Sequence, residues 1–245
     1  FLNAWNQFPR PRHHVLGNHD MDGGAPRDQT VAFYGMPARF HSFLHRGLKC
    51  LVLDGNDPGG SAPGYRRFLA KDQMDWMAAE VTHGSEPLLI FIHQALDHPS
   101  GIENQVAAQA ILESARYPDG SPRVMAVFSG HHHQDWLQTI HGIRYLQINS
   151  ASYHWVGDAY AHDSYPETVL RDHPWIRRTC PYRDPLWAQV TIDPVRGLLE
   201  IEGRTSAWVG PSPTDLGIPA AQCPPDTTLP AIRHRRWPWP MGIPS

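Results

Sequence analysis

The stretch Arg123 to Asp135, RVMAVFSGHHHQD, constrains this chain more than any other. Five apolar residues, Val124 to Phe128, lie between Pro122 and Ser129-Gly130. A run that short, bounded by breakers, predicts a buried strand rather than a helix. His131, His132 and His133 follow at once. In an extended segment His131 and His133 project to one side, and His132 to the other. Two imidazoles on one side of a strand end make half of a metal site. The chain holds 16 His in 245 residues, so a His-x-His pair is expected by chance about once. The pair gains weight only from its position and from what lies upstream.

Two further runs end the same way. His13 to Asp20 reads HHVLGNHD, with Val15 and Leu16 closing a short extended piece at Gly17. Pro87 to Gln94 reads PLLIFIHQ, and the apolar residues Leu88 to Ile92 lead straight into His93. Three strand-like runs thus each deliver a polar ligand type where the run stops. Ligands of open α/β sheets gather at such strand ends. Imidazole nitrogens with amide or carboxylate oxygens suit zinc, manganese and iron.

GNHD at 17–20, the strand-end His93 and GHHH at 130–133 resemble the calcineurin-like metallophosphoesterases. The blocks of that family are D-x-H, G-D-x-x, G-N-H-[DE], a lone His and G-H-x-H. The last three are present in order, and the first two are absent: no D-x-H precedes Gly17. The resemblance spans about residues 11 to 205 and is most similar to bacterial, often exported, phosphohydrolases. It implies a four-layer αββα sandwich of two mixed sheets flanked by helices, with an N-terminal part outside this chain.

The resemblance further implies hydrolysis of a phosphate mono- or diester at a dinuclear centre of divalent or trivalent ions (Mn, Fe or Zn). It assigns Asn18, His93 and His131 to one metal and His133 to the other. His19 is not a ligand in the pattern; it stands beside the scissile phosphate and protonates the leaving oxygen or stabilises transition-state charge. Asp20 is expected to orient the His19 ring. Without D-x-H and G-D-x-x the bridging carboxylate is missing, so the chain as given is expected to be poorly active. A non-catalytic metal-binding or scaffold protein with a degenerate site is the alternative. The same resemblance implies a periplasmic or secreted location, although no signal peptide is visible.

A net charge of −3 gives no general attraction to nucleic acid or anionic membranes, and a small phosphate ester is the expected partner. No run of eighteen apolar residues occurs, so no membrane-spanning helix is expected. Cys50 lies in an apolar run and reads as a buried hydrophobe; Cys180 and Cys223 lie in Pro-rich sequence, and their pairing is left open.

In chain order, residues 1–10 read as a helix end before Pro9. Phe40 to His45 and Leu48 to Leu53 form a hairpin about Arg46-Gly47, and 54–64 a long loop. Met74, Met77 and Val81 mark an amphipathic helix over 72–81. A second helix, 102–115, carries Val106, Ala110 and Ile111 on one face. Hairpins are predicted about His141-Gly142 and across 193–197. Asn149, Tyr153, His154 and Trp155 are candidate pocket residues. The expected organisation is a phosphoesterase domain over 1–208 and an irregular Pro-rich tail over 209–245. The basic run Arg233 to Arg236 is read as a solvated end.

Overall fold

Short apolar runs between glycine and proline breakers become strands, and the amphipathic stretches between them become helices. The computed structural model describes residues 2–193 and 195–238. The chain divides into two compact units, Phe1–Ser129 with Thr139–Tyr145, and Gly130–Gln138 with Leu146–Ser245.

The first unit opens with α1 (Leu2–Trp5) and α2 (Arg27–Phe33). There follow β1 (His41–His45), β2 (Leu48–Val52), α3 (Lys71–Thr82), β3 (Leu88–Phe91), α4 (Gln105–Ser114) and β4 (Val124–Ser129). Next in the chain come β5 (Trp136–Ile140) and β6 (Ile143–Gln147), of which 139–140 and 143–145 belong to this unit. These strands form a mixed six-stranded sheet in the order β1-β2-β3-β4-β6-β5. β2, β3 and β4 are parallel, and β1 returns antiparallel to β2. The expected mixed α/β class therefore holds.

Both hairpins predicted along this sheet form, through two-residue turns in which the chain turns left-handed. Arg46 has φ 48° and Gly47 77°; His141 has 49° and Gly142 87°. Positive φ at both central positions matches the right-handed twist of paired strands, and glycine takes the second position without steric cost.

α3 and α4 cross between successive parallel strands. Met77 and Val81 of α3 are fully buried with Leu51, Ile90 and Val127 of the sheet. On α4 the buried face is Ala108 and Leu112, with Ile111 packed beside them. Val106, expected on that face, is 75% exposed. The spacing Ala108, Leu112, Ala115 is the i, i+4, i+7 stripe that meets the core, and Val106 lies off it.

The second unit carries β7 (Tyr153–Trp155), α5 (Glu167–Asp172) and β8 (Thr179–Pro181), with β7 and β8 paired antiparallel. β9 (Gln189–Asp193), β10 (Leu198–Glu202) and β11 (Arg235–Pro238) form a three-stranded antiparallel sheet. β11 corrects the expectation of an irregular surface tail beyond Trp208. Trp237 pairs across from Leu199, and both are buried, as are Ala231 and Ile232. A Pro-rich approach suits an edge strand, where missing N–H donors are not needed. Residue 194 of the predicted turn and residues 239–245 of the predicted tail lie outside the described residues.

Candidate metal centre

β3 ends at Phe91, and His93 lies two residues beyond it. The GNHD segment closes into a 3-10 turn over Asn18–Met21, capped by Gly17. The Gly17 amide donates to Asp20 Oδ2 at 2.7 Å, and the Tyr34 hydroxyl donates to Asp20 Oδ1 at 2.8 Å. Burial, and then the hydrogen bond to Asp20, push the Tyr34 hydroxyl pKa up to about 12. The turn buries Asn18, leaving it 5% exposed.

Asn18 Oδ1 and His93 Nε2 meet at 2.8 Å across 75 residues of chain. Two donors about 2.1 Å from one cation at a near-right angle lie about 3 Å apart, so the pair is spaced as neighbouring ligands or as a direct hydrogen bond. Gly17 makes the approach possible. A Cβ there would meet three atoms of the His93 ring at 3.3 Å. Its own backbone is extended, φ −93° and ψ 169°, so glycine is required for proximity and not for an unusual turn.

His19 is 66% exposed. Its Nδ1 contacts Asp22 Oδ2 at 2.6 Å, and the Tyr65 hydroxyl lies 3.1 Å from the same nitrogen. Tyr65 also donates to Asp22 Oδ2 at 3.3 Å and presents its ring edge-on at 4.6 Å. Asp20 is therefore not the residue that orients His19. Both its oxygens are held by the turn and by Tyr34, and Asp22 takes that place. The 3-10 geometry turns positions 19 and 20 to different sides and brings 22 back under 19.

The same sheet edge carries a buried polar loop that the sequence reading passed over. β2 leads into Asp54, Asn56 and Asp57, exposed by 0%, 4% and 1%. Arg27 of α2 bridges the two carboxylates at 2.8 Å each, and Arg39 reaches Asp57 at 2.7 Å. Gln73 of α3 donates to the Asp54 carbonyl and to Asp57 Oδ2 at 2.8 and 2.9 Å. Burial raises the Asp54 pKa, opposed by the Arg27 charge. Buried carboxylates persist only when paired and hydrogen-bonded in this way. The signal was available: Asp54 follows an apolar strand just as His93 does.

In the second unit the three-histidine segment is not extended. His131 has φ 68° and His133 φ 52°, both in the left-handed region. Strand alternation, expected to align these two rings, therefore does not apply, because the backbone turns at each of them. Such conformations cost non-glycine residues about 1–3 kcal/mol and concentrate at functional positions. The His131 and His132 rings pack edge-on at 4.9 Å, and His133 lies edge-on to Tyr153 at 5.0 Å.

His154, 5% exposed on β7, supports this segment from behind. Its Nδ1 donates to the His133 carbonyl at 2.9 Å, which leaves Nε2 to accept from the Cys223 thiol at 3.2 Å. Burial lowers its pKa. Asn149 is structural, donating to the Leu229 and Ala231 carbonyls at 2.7 and 3.2 Å. Trp155 is 46% exposed. Cys180 and Cys223 are free thiols, and Cys50 is buried as expected, its pKa pushed up to about 11 by burial.

Asp135, two residues past His133, is fully buried. It accepts from Arg233 Nε at 2.5 Å and Arg235 Nη1 at 2.6 Å. The basic run therefore does not form a solvated end: two of its guanidinium groups neutralise this carboxylate. Three further histidines of these segments have ordinary partners. His13 stacks on Phe43 at 3.6 Å, His14 on Tyr34 at 4.7 Å, and His141 contacts Glu113 at 2.8 Å.

Among the described residues, no three or more His, Cys, Asp or Glu side chains gather as a metal-holding set. The observed fit to a metal therefore consists of one pair, Asn18 and His93. Among the described residues no helix is long and apolar enough to cross a membrane. No protein-family model and no curated protein matches the chain.

Proposed function

We propose that the chain is a metal-dependent phosphoesterase that hydrolyses phosphate mono- or diesters, with the four-layer αββα arrangement of the calcineurin-like metallophosphoesterases. The observation that carries this reading is the 2.8 Å approach of Asn18 Oδ1 to His93 Nε2, seated on Gly17. A neutral amide oxygen and an imidazole nitrogen are borderline donors suited to Mn, Fe or Zn. His131 and His133 belong to the second unit, so the pair proposed to hold the cation is Asn18 and His93. The metals, when bound, supply the positive charge that stabilises a phosphoryl group in its transition state.

The chain's own residues then have separate tasks. Asn18 and His93 hold the cation, and Gly17 keeps the His93 ring against the turn. Asp22 accepts from Nδ1–H of the doubly protonated His19 ring, whose Nε2–H passes its proton to the leaving oxygen and leaves the neutral Nδ1–H tautomer. Tyr65 braces both partners. Asp20 holds the turn together and acts only through Asn18 and His19.

Elemental analysis after dialysis against Mn²⁺ or Zn²⁺ tests the ligand assignment. The expected content is about one metal per chain, lost in the Asn18→Ala, His93→Ala double variant. Unchanged metal in that variant would sink the assignment. Turnover of p-nitrophenyl phosphate and its bis ester should be weak but metal-dependent, because the 245 residues contain no D-x-H. Metal binding with no turnover of either ester would instead favour a non-catalytic metal-binding protein.

A further inference from the structure

A cavity of about 410 Å³ opens beside Asn18 in the first unit. Met21 and Pro26 give it apolar lining, and Tyr65, Arg66 and Asp22, the last held by His19 and Tyr65, add polar groups. Its volume suits a small organic group rather than a bare ion. Arg27 also lines it, but Arg27 is committed to Asp54 and Asp57. Arg66 differs. Among the described residues its guanidinium takes part in no hydrogen bond and no ion pair, whereas the adjacent Arg67 donates to the Ser100 carbonyl at 2.5 Å.

The backbone of Arg66 is held in place all the same. Gln94, fully buried and next to His93, donates to the Arg66 carbonyl at 3.1 Å and to Asn56 Oδ1 at 2.9 Å. A single side chain after the strand-end histidine thus fixes the segment that carries the uncommitted cation. A guanidinium with no protein carboxylate, on a pinned backbone at a cavity wall, is arranged to meet an anion from outside the chain.

We propose that this cavity receives the alcohol part of the phosphate ester and that Arg66 reads a second anionic group on it, a carboxylate or a further phosphate. The proposal rests on the phosphoesterase reading for the first phosphate and on Arg66 alone for the second anion. It makes Arg66 a specificity-determining residue: esters of neutral alcohols fit the cavity but leave the guanidinium unmet.

The test uses two non-hydrolysable probes, 3-phosphonopropionate and propylphosphonate, which differ in the distal carboxylate. Calorimetric titration is run on the 245-residue chain, Arg66→Ala and Arg66→Lys, each with Mn²⁺ and in chelator. The parent is expected to bind 3-phosphonopropionate about tenfold or more tightly than propylphosphonate. Arg66→Ala should bind the two equally, and Arg66→Lys should retain part of the preference. Arg66 is exposed, so the variants are expected to fold, which circular dichroism checks. A preference that survives in Arg66→Ala, or binding of neither probe, overturns the proposal. An Arg66-dependent preference that is the same with and without Mn²⁺ keeps the anion subsite and removes the metal reading.

Discussion

His19 carries the most chemistry of any exposed side chain in the first unit. Its Nδ1 faces Asp22 at 2.6 Å, which fixes the tautomer and sends Nε2 outward. If Nε2 protonates the leaving oxygen, losing it should hurt most where the leaving group is poor. His19→Ala should therefore lower kcat/KM on an alkyl phosphate about 10²–10⁴-fold, and much less on an activated aryl ester. Asp22→Asn should follow the same pattern more mildly, whereas Asp20→Asn should loosen the turn and act equally on both esters. Metal content stays near that of the parent in His19→Ala, because Asn18 and His93 are untouched. Equal losses on alkyl and aryl esters would assign His19 to general charge stabilisation. The GNHD string made position 19 legible from sequence, but its partner was not, because Asp20 and Asp22 are both near and only the turn decides between them.

At the scale of elements, left-handed residues occur both in a hairpin turn and in the three-histidine segment. Arg46 and His133 share that backbone region. Replacing either with glycine should raise stability by about 1 kcal/mol in urea unfolding. A transition midpoint unchanged in either variant would show that the left-handed backbone carries no strain at that residue. On β1, burial and the neighbouring His13 hold the His41 pKa below the usual histidine value. The unfolded chain then binds a proton that the folded chain refuses once pH falls below about 6.5, so stability drops as pH falls from there. The slope from this one group cannot exceed about 1.4 kcal/mol per pH unit, and His41→Gln should flatten it. A slope that is unchanged in His41→Gln would assign the acid sensitivity elsewhere. The strands and both hairpins were readable from apolar runs and glycine positions. The buried face of α4 was misread because a short helix admits two overlapping stripes, and packing on the sheet selects one.

At the scale of the whole molecule, the two units are tied internally by charge pairs that reach far along the chain. Arg27 meets Asp54 over 27 residues, and Arg233 meets Asp135 over 98. Removing one partner of such a buried pair leaves a charge without compensation. Arg27→Met should therefore cost about 3 kcal/mol in urea unfolding, and the double variant with Asp54→Asn should recover part of that loss. Additive losses in the double variant would show that the two residues do not act as a pair. The sequence by itself determined the mixed α/β class, the strand end that leads to His93, and the sites of the hairpin turns. Each of those follows from periodicity and breakers within a dozen residues. The run before Gly17, expected as a strand end, forms no strand, and Asn18 opens a 3-10 turn instead. The tertiary structure alone decided that Asp54 and Asp57 are buried with Arg27 and Arg39, that Arg233 just before β11 and Arg235 at its start neutralise Asp135, and that His131 and His133 turn left-handed. Burying a charge requires its counter-charge to arrive from a distant segment, and no local pattern encodes which segment that will be.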